Sequence, residues 1–292
     1  MDPWRPVGWR AEPERRPDRS ELALTVFLTG AECPFTCAFC DLWQHTLDGP
    51  TPPGALPAQL AAALGLAPPG VRRVKLYNAS NFFDPRAVPP ADVEQLARQL
   101  RDFDGVTVES HARTIGPRCL EFANRLDGRL EVALGLETVH PAALPRLNKR
   151  MELADFDRAA SWLLEHGLDL RVFVLVGAPF VPAAESVAWA VRSAAPALAR
   201  GAGVVALIPA RGGNGEMERL AAQGSFSPPT LQDLEAAVEG CLDLGGVVTA
   251  DLWDVERLAG CPACRAARVH RIVTMNQTGK AADPVRCGAC PP

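Results

Sequence analysis

Cys33-Pro34-Phe35-Thr36-Cys37-Ala38-Phe39-Cys40 is the stretch on which the reading of this 292-residue chain turns. Three thiols stand four and three residues apart, and three cysteines this close cannot all pair with one another. A tight loop can turn three thiolates toward one metal site, which is the chemistry this spacing suits. Just before the loop runs Leu22-Ala23-Leu24-Thr25-Val26-Phe27-Leu28, short, rich in β-formers and ended by Thr29-Gly30. It reads as a buried strand that delivers the cysteines at its carboxyl end.

Outward from that strand the chain alternates. Strands are expected at 71–77, 105–109, 130–136, 170–176 and 203–208, with a short last one at 246–250. Helices are expected at 57–66, 92–101, 117–126, 153–166, 184–200, 216–223 and 230–244, where apolar residues recur at helical spacing. Strand–helix alternation repeated six times implies parallel strands joined by right-handed crossovers. In such folds polar ligands gather at the carboxyl ends of the strands. Those ends are conspicuously polar here: Asn78-Ala79-Ser80-Asn81, Glu109-Ser110-His111-Ala112-Arg113, Gly135-Leu136-Glu137-Thr138, Gly177-Ala178-Pro179 and Pro209-Ala210-Arg211-Gly212-Gly213-Asn214.

The spacing Cys-x3-Cys-x2-Cys, with aromatic Phe39 before its last cysteine, resembles the radical S-adenosylmethionine (SAM) superfamily. The resemblance implies a partly open (β/α)6 barrel in which Cys33, Cys37 and Cys40 hold a [4Fe-4S] cluster. Three protein ligands leave one iron open, and in the superfamily that iron is chelated by SAM, which is cleaved to methionine and a 5′-deoxyadenosyl radical. A structural zinc knuckle completed by His45 is the plainer reading of the same cysteines. By the resemblance, Phe39, Asn78, Ser80, Glu109, Arg113, Glu137, Gly177 and Pro209 are the residues expected around SAM. Asn78 and Ser80 stand where the superfamily often has Gly-Gly-Glu, so amide and hydroxyl oxygens replace a carboxylate there. Glu109 suits an ammonium or a ribose hydroxyl pair, and Arg113 suits a carboxylate. Glu137 follows a Gly-hydrophobic pair at the end of an apolar strand, and Gly177 and Pro209 are expected to let backbone approach adenine. His111 is expected to be structural.

Within the superfamily, Tyr77 to Asp84, Glu109-Ser110, Gly135 to Thr138, Asn148-Lys149 and Val174 to Phe180 resemble the radical SAM subunit of archaeosine synthase, a group related to the Elongator-type radical SAM proteins. That likeness implies a deazaguanine-type base of tRNA as substrate. It also implies an electron donor such as flavodoxin or ferredoxin. A radical enzyme acting on a peptide or small metabolite, and a non-catalytic RNA-binding metalloprotein, are the other readings.

Near the carboxyl end, Cys261-Pro262-Ala263-Cys264 and Cys287-Gly288-Ala289-Cys290 form two knuckles 22 residues apart. Their spacing reads as a zinc-ribbon-like appendage holding Zn2+, or a second Fe-S cluster, with a strand expected at 269–273 between the knuckles. The segment is mildly basic. Domain boundaries are expected at 1–20 for an amino-terminal arm without strand period, 21–252 for the barrel and 253–292 for the Cys-rich tail. Seven of nine cysteines lie in ligand-spaced groups, which suits a reducing compartment. Cys119 and Cys241 are expected in the core. No apolar run approaches the roughly 20 residues needed to cross a bilayer, and the first ten residues lack the apolar centre of a secretory signal. The expectation is a cytoplasmic protein of unspecified oligomeric state.

Overall fold

A computed structural model of the chain describes residues 1–290. Its centre is one eight-stranded sheet in simple sequential order. The strands are β1 (Gly8–Arg15), β2 (Ser20–Leu28), β3 (Val71–Asn78), β4 (Gly105–Ser110), β5 (Arg129–Glu137), β6 (Asp169–Val176), β7 (Val204–Pro209) and β8 (Val248–Ala250). From β2 to β8 every neighbouring pair is parallel. Helices α1 (Ala55–Gly65), α2 (Pro90–Leu100), α3 (Pro117–Ala123), α4 (Leu153–Glu165) and α5 (Ser186–Ala199) make successive crossovers, and α6 (Glu216–Ala222) with α7 (Leu231–Cys241) makes the last. Among the described residues no helix is long and apolar enough to cross a membrane.

Alternation along the strands sorts side chains into two environments. Leu24, Val26, Val74, Leu76, Val106, Val108, Val132, Leu134, Val172, Val174, Val205 and Leu207 join the helices in one apolar core. Cys119 of α3 and Cys241 of α7 are buried in it, as expected. The other face is charged. Arg171 of β6 donates to Glu14 of β1 at 2.5 Å and to Glu131 of β5 at 2.8 Å. In a flat sheet β1 and β6 would stand five strand spacings, about 24 Å, apart. Their ion pair therefore requires the sheet to curl into an open barrel with this face inside. Arg16 meets Glu131 at 2.6 Å, Lys75 meets Glu14 at 2.8 Å and Arg73 meets Glu21 at 2.5 Å. Each of these buried charges is thus matched, the condition under which burial of ions is tolerated. Burial alone would raise Glu131, but Arg171, Arg16 and Arg73 outweigh it and hold that carboxyl down to about 2.

Two sequence expectations change. The amino-terminal arm does contain a strand: β1 pairs antiparallel with β2 along its whole length, from Gly8 opposite Phe27 to Arg15 opposite Ser20. Pro13, which lacks an N–H to donate, is accommodated because β1 is an edge strand. The second change is at 269–273, expected as a strand, which lies inside α8 (Arg265–Thr278). Buried Arg271, Ile272 and Met275 recur at helical spacing, and Gly279 (φ +67°) ends the helix in a left-handed cap. The Cys-rich appendage is therefore built on a helix.

Between the two open edges of the barrel, Arg15 reaches from β1 to the carbonyls of Val248 on β8 and Asn276 on α8, both at 3.0 Å.

Candidate functional site

The cysteine loop leaves β2 and lies across the mouth of the barrel, where asparagines from three strand ends clamp it. Asn81, after β3, donates to Cys33 Sγ at 3.4 Å while its Oδ1 accepts from the His111 N–H at 2.6 Å. Asn148, after β5, donates to both the carbonyl and the hydroxyl of Thr36 at 2.8 Å. Its backbone is left-handed at φ +53°, a conformation asparagine tolerates better than most residues. Asn214, after β7, donates to the carbonyls of Ala38 and Cys40 at 2.9 and 3.0 Å. Phe39 packs against two small apolar clusters, one containing Leu175 and Val181 and the other Met217 and Phe226, and so holds the loop to the rim. On the far side Phe35 stacks on the His111 ring, centroids 3.8 Å apart and planes 13° apart.

Cys33, Cys37 and Cys40 line one cavity of about 250 Å³, together with Glu32, Trp43, Ala79 and Asn214. Burial raises all three thiols, Cys37 to about 11 and Cys40 to about 12. Each thiol must lose its proton to ligate a metal, and a bound cation would offset the cost of burying the thiolates.

Beside the loop lies a buried ion pair. Lys149 Nζ donates to Glu137 Oε1 at 2.7 Å and stands 5.9 Å from the centre of the Phe39 ring. Burial pulls the Lys149 ammonium down, but Glu137 and Cys37 outweigh it and raise its pKa. Glu137 sits at a β-bulge with φ +66°, a strained conformation for a side-chain-bearing residue. Gly135 is required beside it: a Cβ there would collide with Glu137 Oε1 and lie 2.6 Å from Lys149 Nζ. His111 is held neutral, its pKa lowered to about 4 by burial and by Lys149. Its Nδ1 accepts from the Arg113 N–H, so Nε2 carries the proton donated to the Lys149 carbonyl.

The end of β3 and the turn after it carry buried polar atoms that the protein itself leaves unbonded. Asn78 Nδ2, Asn78 Oδ1 and Ser80 Oγ are buried with no hydrogen-bond partner among the described residues. Each such orphan costs about 1–3 kcal/mol, so a polar ligand that met them would be favoured by that much. Glu109, deep in the mouth, is raised to about 8 by burial, against the opposing effect of the Asn78 N–H and Lys149. A cationic or hydroxyl-bearing ligand would return that carboxyl toward its charged form. An amino acid joined to a nucleoside offers both kinds of group, so these residue types suit SAM, although of this turn only Ala79 lines the cysteine cavity.

Other expected residues fall differently. Arg113 is exposed and lines a separate groove with Phe83, Ile115 and Arg118. Gly177 has φ +74°, and a Cβ on it would lie 2.7 Å from Pro229 Cδ. Its lack of a side chain is thus explained by packing within the protein. Pro209 is buried at the end of β7, opposite Val176. Asn81, Lys149 and Asn214 were not singled out from sequence as site residues. Asn81 and Asn214 share turns with residues that were, and Lys149 was visible only as part of a short likeness.

In the tail, the sulfur atoms of Cys261, Cys264, Cys287 and Cys290 all lie within 4.8 Å of one another. Cys261 and Cys287 are 4.0 Å apart and Cys264 and Cys290 3.7 Å. A tetrahedral zinc site with Zn–S near 2.3 Å has sulfurs about 3.8 Å apart, so the four cysteines can hold a metal ion. Arg268 donates to Cys264 Sγ at 3.3 Å, and Arg271 bonds Glu235 at 3.1 Å and Glu239 at 2.7 Å on α7. The knuckles are thereby anchored to the barrel wall.

The chain matches no protein-family model. It is 24% identical over 164 residues, 54% of its length and 45% of the relative's, to an uncharacterized protein of Methanocaldococcus jannaschii. Among solved structures it is similar to Streptococcus suis SuiB bound to its precursor peptide SuiA, with TM-score 0.55 and 14% identity over 84% of this chain and 51% of that one. It is also similar to Methanocaldococcus infernus Elp3, with TM-score 0.53 and 11% identity over 78% of this chain and 56% of that one. The likeness shows that this chain has the fold of these two proteins. The chain spans about half the length of each of these proteins.

Proposed function

We propose that this chain is a radical SAM enzyme. Cys33, Cys37 and Cys40 would hold a [4Fe-4S] cluster, which supplies one electron for reductive cleavage of SAM to methionine and a hydrogen-abstracting 5′-deoxyadenosyl radical. The observation that carries the reading is the cavity lined by Cys33, Cys37 and Cys40 together with Ala79 of the next strand end. Asn78, Ser80 and Glu109 would take the amino and ribose groups of SAM. The Lys149 ammonium, already charged and buried, would balance thiolate charge beside Cys37. Asn81, Asn148 and Asn214 keep the loop from shifting, and Phe39 excludes water beneath it.

The substrate we favour is a deazaguanine-type base of tRNA. The short motifs shared with the radical SAM subunit of archaeosine synthase support it. A peptide substrate is the second reading, favoured by the likeness to SuiB with its bound precursor peptide. For the tail, we favour zinc over a second cluster because the four sulfurs are spaced for one tetrahedral ion.

The test is anaerobic reconstitution with iron, sulfide and zinc assays, followed by dithionite and SAM. About four irons, a zinc ion, and 5′-deoxyadenosine formed by the wild type but not by Cys37→Ala are expected. Zinc alone with no SAM cleavage would overturn the reading and leave a binding protein.

A further inference from the structure

The segments 79–89, 111–118 and 138–151, which follow β3, β4 and β5, contain Arg86, Arg113, Arg118, Arg146 and Arg150, all exposed. Among the described residues none of the five forms an ion pair with a carboxylate. Elsewhere on the surface such pairs are common: Arg72 meets Asp104, Arg129 meets Asp169, and Arg158 meets Asp155. The single acid within these segments, Asp84, accepts from the Arg86 backbone N–H at 2.9 Å. The cysteine loop has the opposite character: residues 30–54 contain Glu32, Asp41 and Asp48 and no lysine or arginine. A chain of net charge −4 thus concentrates unpaired positive charge on one arc of the rim.

The arc is connected to the cysteines. Arg113 and Arg118 flank a groove of about 460 Å³ with Phe83, Pro85 and Ile115 among its walls. The Arg113 N–H donates to His111 Nδ1 at 3.1 Å, and the His111 ring stacks at 3.8 Å on Phe35, which lies between Cys33 and Cys37. No residue of this groove lines the cysteine cavity. A partner seated on the groove would therefore stand beside the cysteine loop and leave its cavity open.

We propose that this arc is the landing surface for an acidic protein that carries single electrons. The proposal rests on the radical reading above, which needs one electron for each SAM cleaved. The carrier is oxidised by one electron, and that electron is consumed when one sulfonium S–C5′ bond breaks to methionine and the 5′-deoxyadenosyl radical. Unpaired guanidiniums favour an acidic partner and steer its approach, since opposite charges across an interface act on encounter and register. An electron carrier need only stand beside the cysteine loop, as a partner on this groove would, whereas a nucleic-acid substrate must place a base in the cysteine cavity, which no residue of the groove lines.

The test uses the full-length, reconstituted protein. Flavodoxin and a plant-type ferredoxin serve as probes, with Arg86→Glu, Arg118→Glu and Arg150→Glu as variants. Dissociation constants are measured by calorimetry at low and high salt, and 5′-deoxyadenosine formation is followed with each carrier and, separately, with dithionite. Each variant is expected to weaken carrier binding about fivefold, and high salt to weaken the wild type. Dithionite-driven cleavage should equal the wild type, which also certifies that the variants are folded. The proposal is overturned if neither carrier binds, if the variants bind as the wild type does, or if dithionite-driven cleavage falls in parallel. Loss of affinity for a labelled tRNA, with carrier binding intact, would assign the arc to nucleic acid and overturn it as well. Absence of dithionite-driven cleavage in the wild type is a different failure: it removes the radical reading and this proposal with it.

Discussion

Asn81 holds Cys33 from the side, its amide nitrogen 3.4 Å from the sulfur, while the other end of the same amide accepts from the His111 N–H. One side chain thus fixes the first cysteine to the end of the next-but-one strand. Asn81→Ala should leave the His111 N–H orphaned, at a cost of about 1–3 kcal/mol, and let the first cysteine drift. The expected outcome is faster loss of iron from the reconstituted protein on brief exposure to air. Asn81→Asp keeps the acceptor but sets a negative charge against the sulfur, and should lose iron faster still. Equal iron retention in wild type and both variants would contradict this role.

Gly135 is a position where a single added methyl group should disturb the candidate site directly. Its substitution by Ala drives a methyl group into the Glu137–Lys149 pair. Removing one partner of a buried pair costs about 3–5 kcal/mol, so Glu137→Gln or Lys149→Met alone should lower stability to urea by that order, and Gly135→Ala, which displaces the pair without removing a charge, by less. Replacing both charges, Glu137→Gln with Lys149→Met, should cost less than either single change, because no lone charge remains buried. The urea midpoints of the four proteins decide the matter.

Acid should unfold this barrel from the inside. Glu131 has a folded-state value near 2 against an ordinary 4.5, and Glu14 is depressed as well, because arginines overcome the effect of burial. A depressed carboxyl contributes stability that is fully present above its unfolded value and is lost as pH falls through the folded one. Urea stability should accordingly be flat from neutral pH to about 5 and decline steeply between 4.5 and 2. Arg171→Met should flatten that decline while lowering stability at neutral pH. An acid limb unaltered in the variant would count against the network.

Removing metal from the tail should loosen the knuckles and spare the helix between them. Four cysteines hold the knuckles, but α8 is fastened to α7 by Arg271 with Glu235 and Glu239. Chelation, or Cys287→Ser, should remove one metal equivalent and abolish hydrogen-exchange protection at 261–264 and 287–290. Protection of α8 should persist. Its collapse together with the knuckles would show that the metal holds the whole appendage.

Much of the barrel was legible because strands 71–77, 130–136 and 170–176 are bounded by turn residues and followed by amphipathic helices. Charges at Arg73, Lys75 and Arg171 did not obscure this, since they alternate with apolar neighbours. β1 escaped notice because Pro13 and several arginines hide its period, and its pairing depends on β2, which follows it. Val269, Ile272 and Val273 suggested a strand where α8 stands; β-branched content outweighed the helical recurrence of Arg271, Ile272 and Met275. At the site, residue types at strand ends were readable, but their partners were not. That Asn81 reaches Cys33, or that Arg113 faces its own groove, depends on how separate loops meet in space.

The latch formed by Arg15 has a consequence for how the protein is made. Its acceptors, the Val248 and Asn276 carbonyls, are synthesised 233 and 261 residues after Arg15, so this latch closes late, although Glu14 of the same strand can meet Arg171 before then. The cysteine loop and its three clamping asparagines are all complete by residue 214, well before the seam can join. The clamps on the loop therefore depend on β2 to β7 and the turns after them, and not on closure of the seam between β1 and β8.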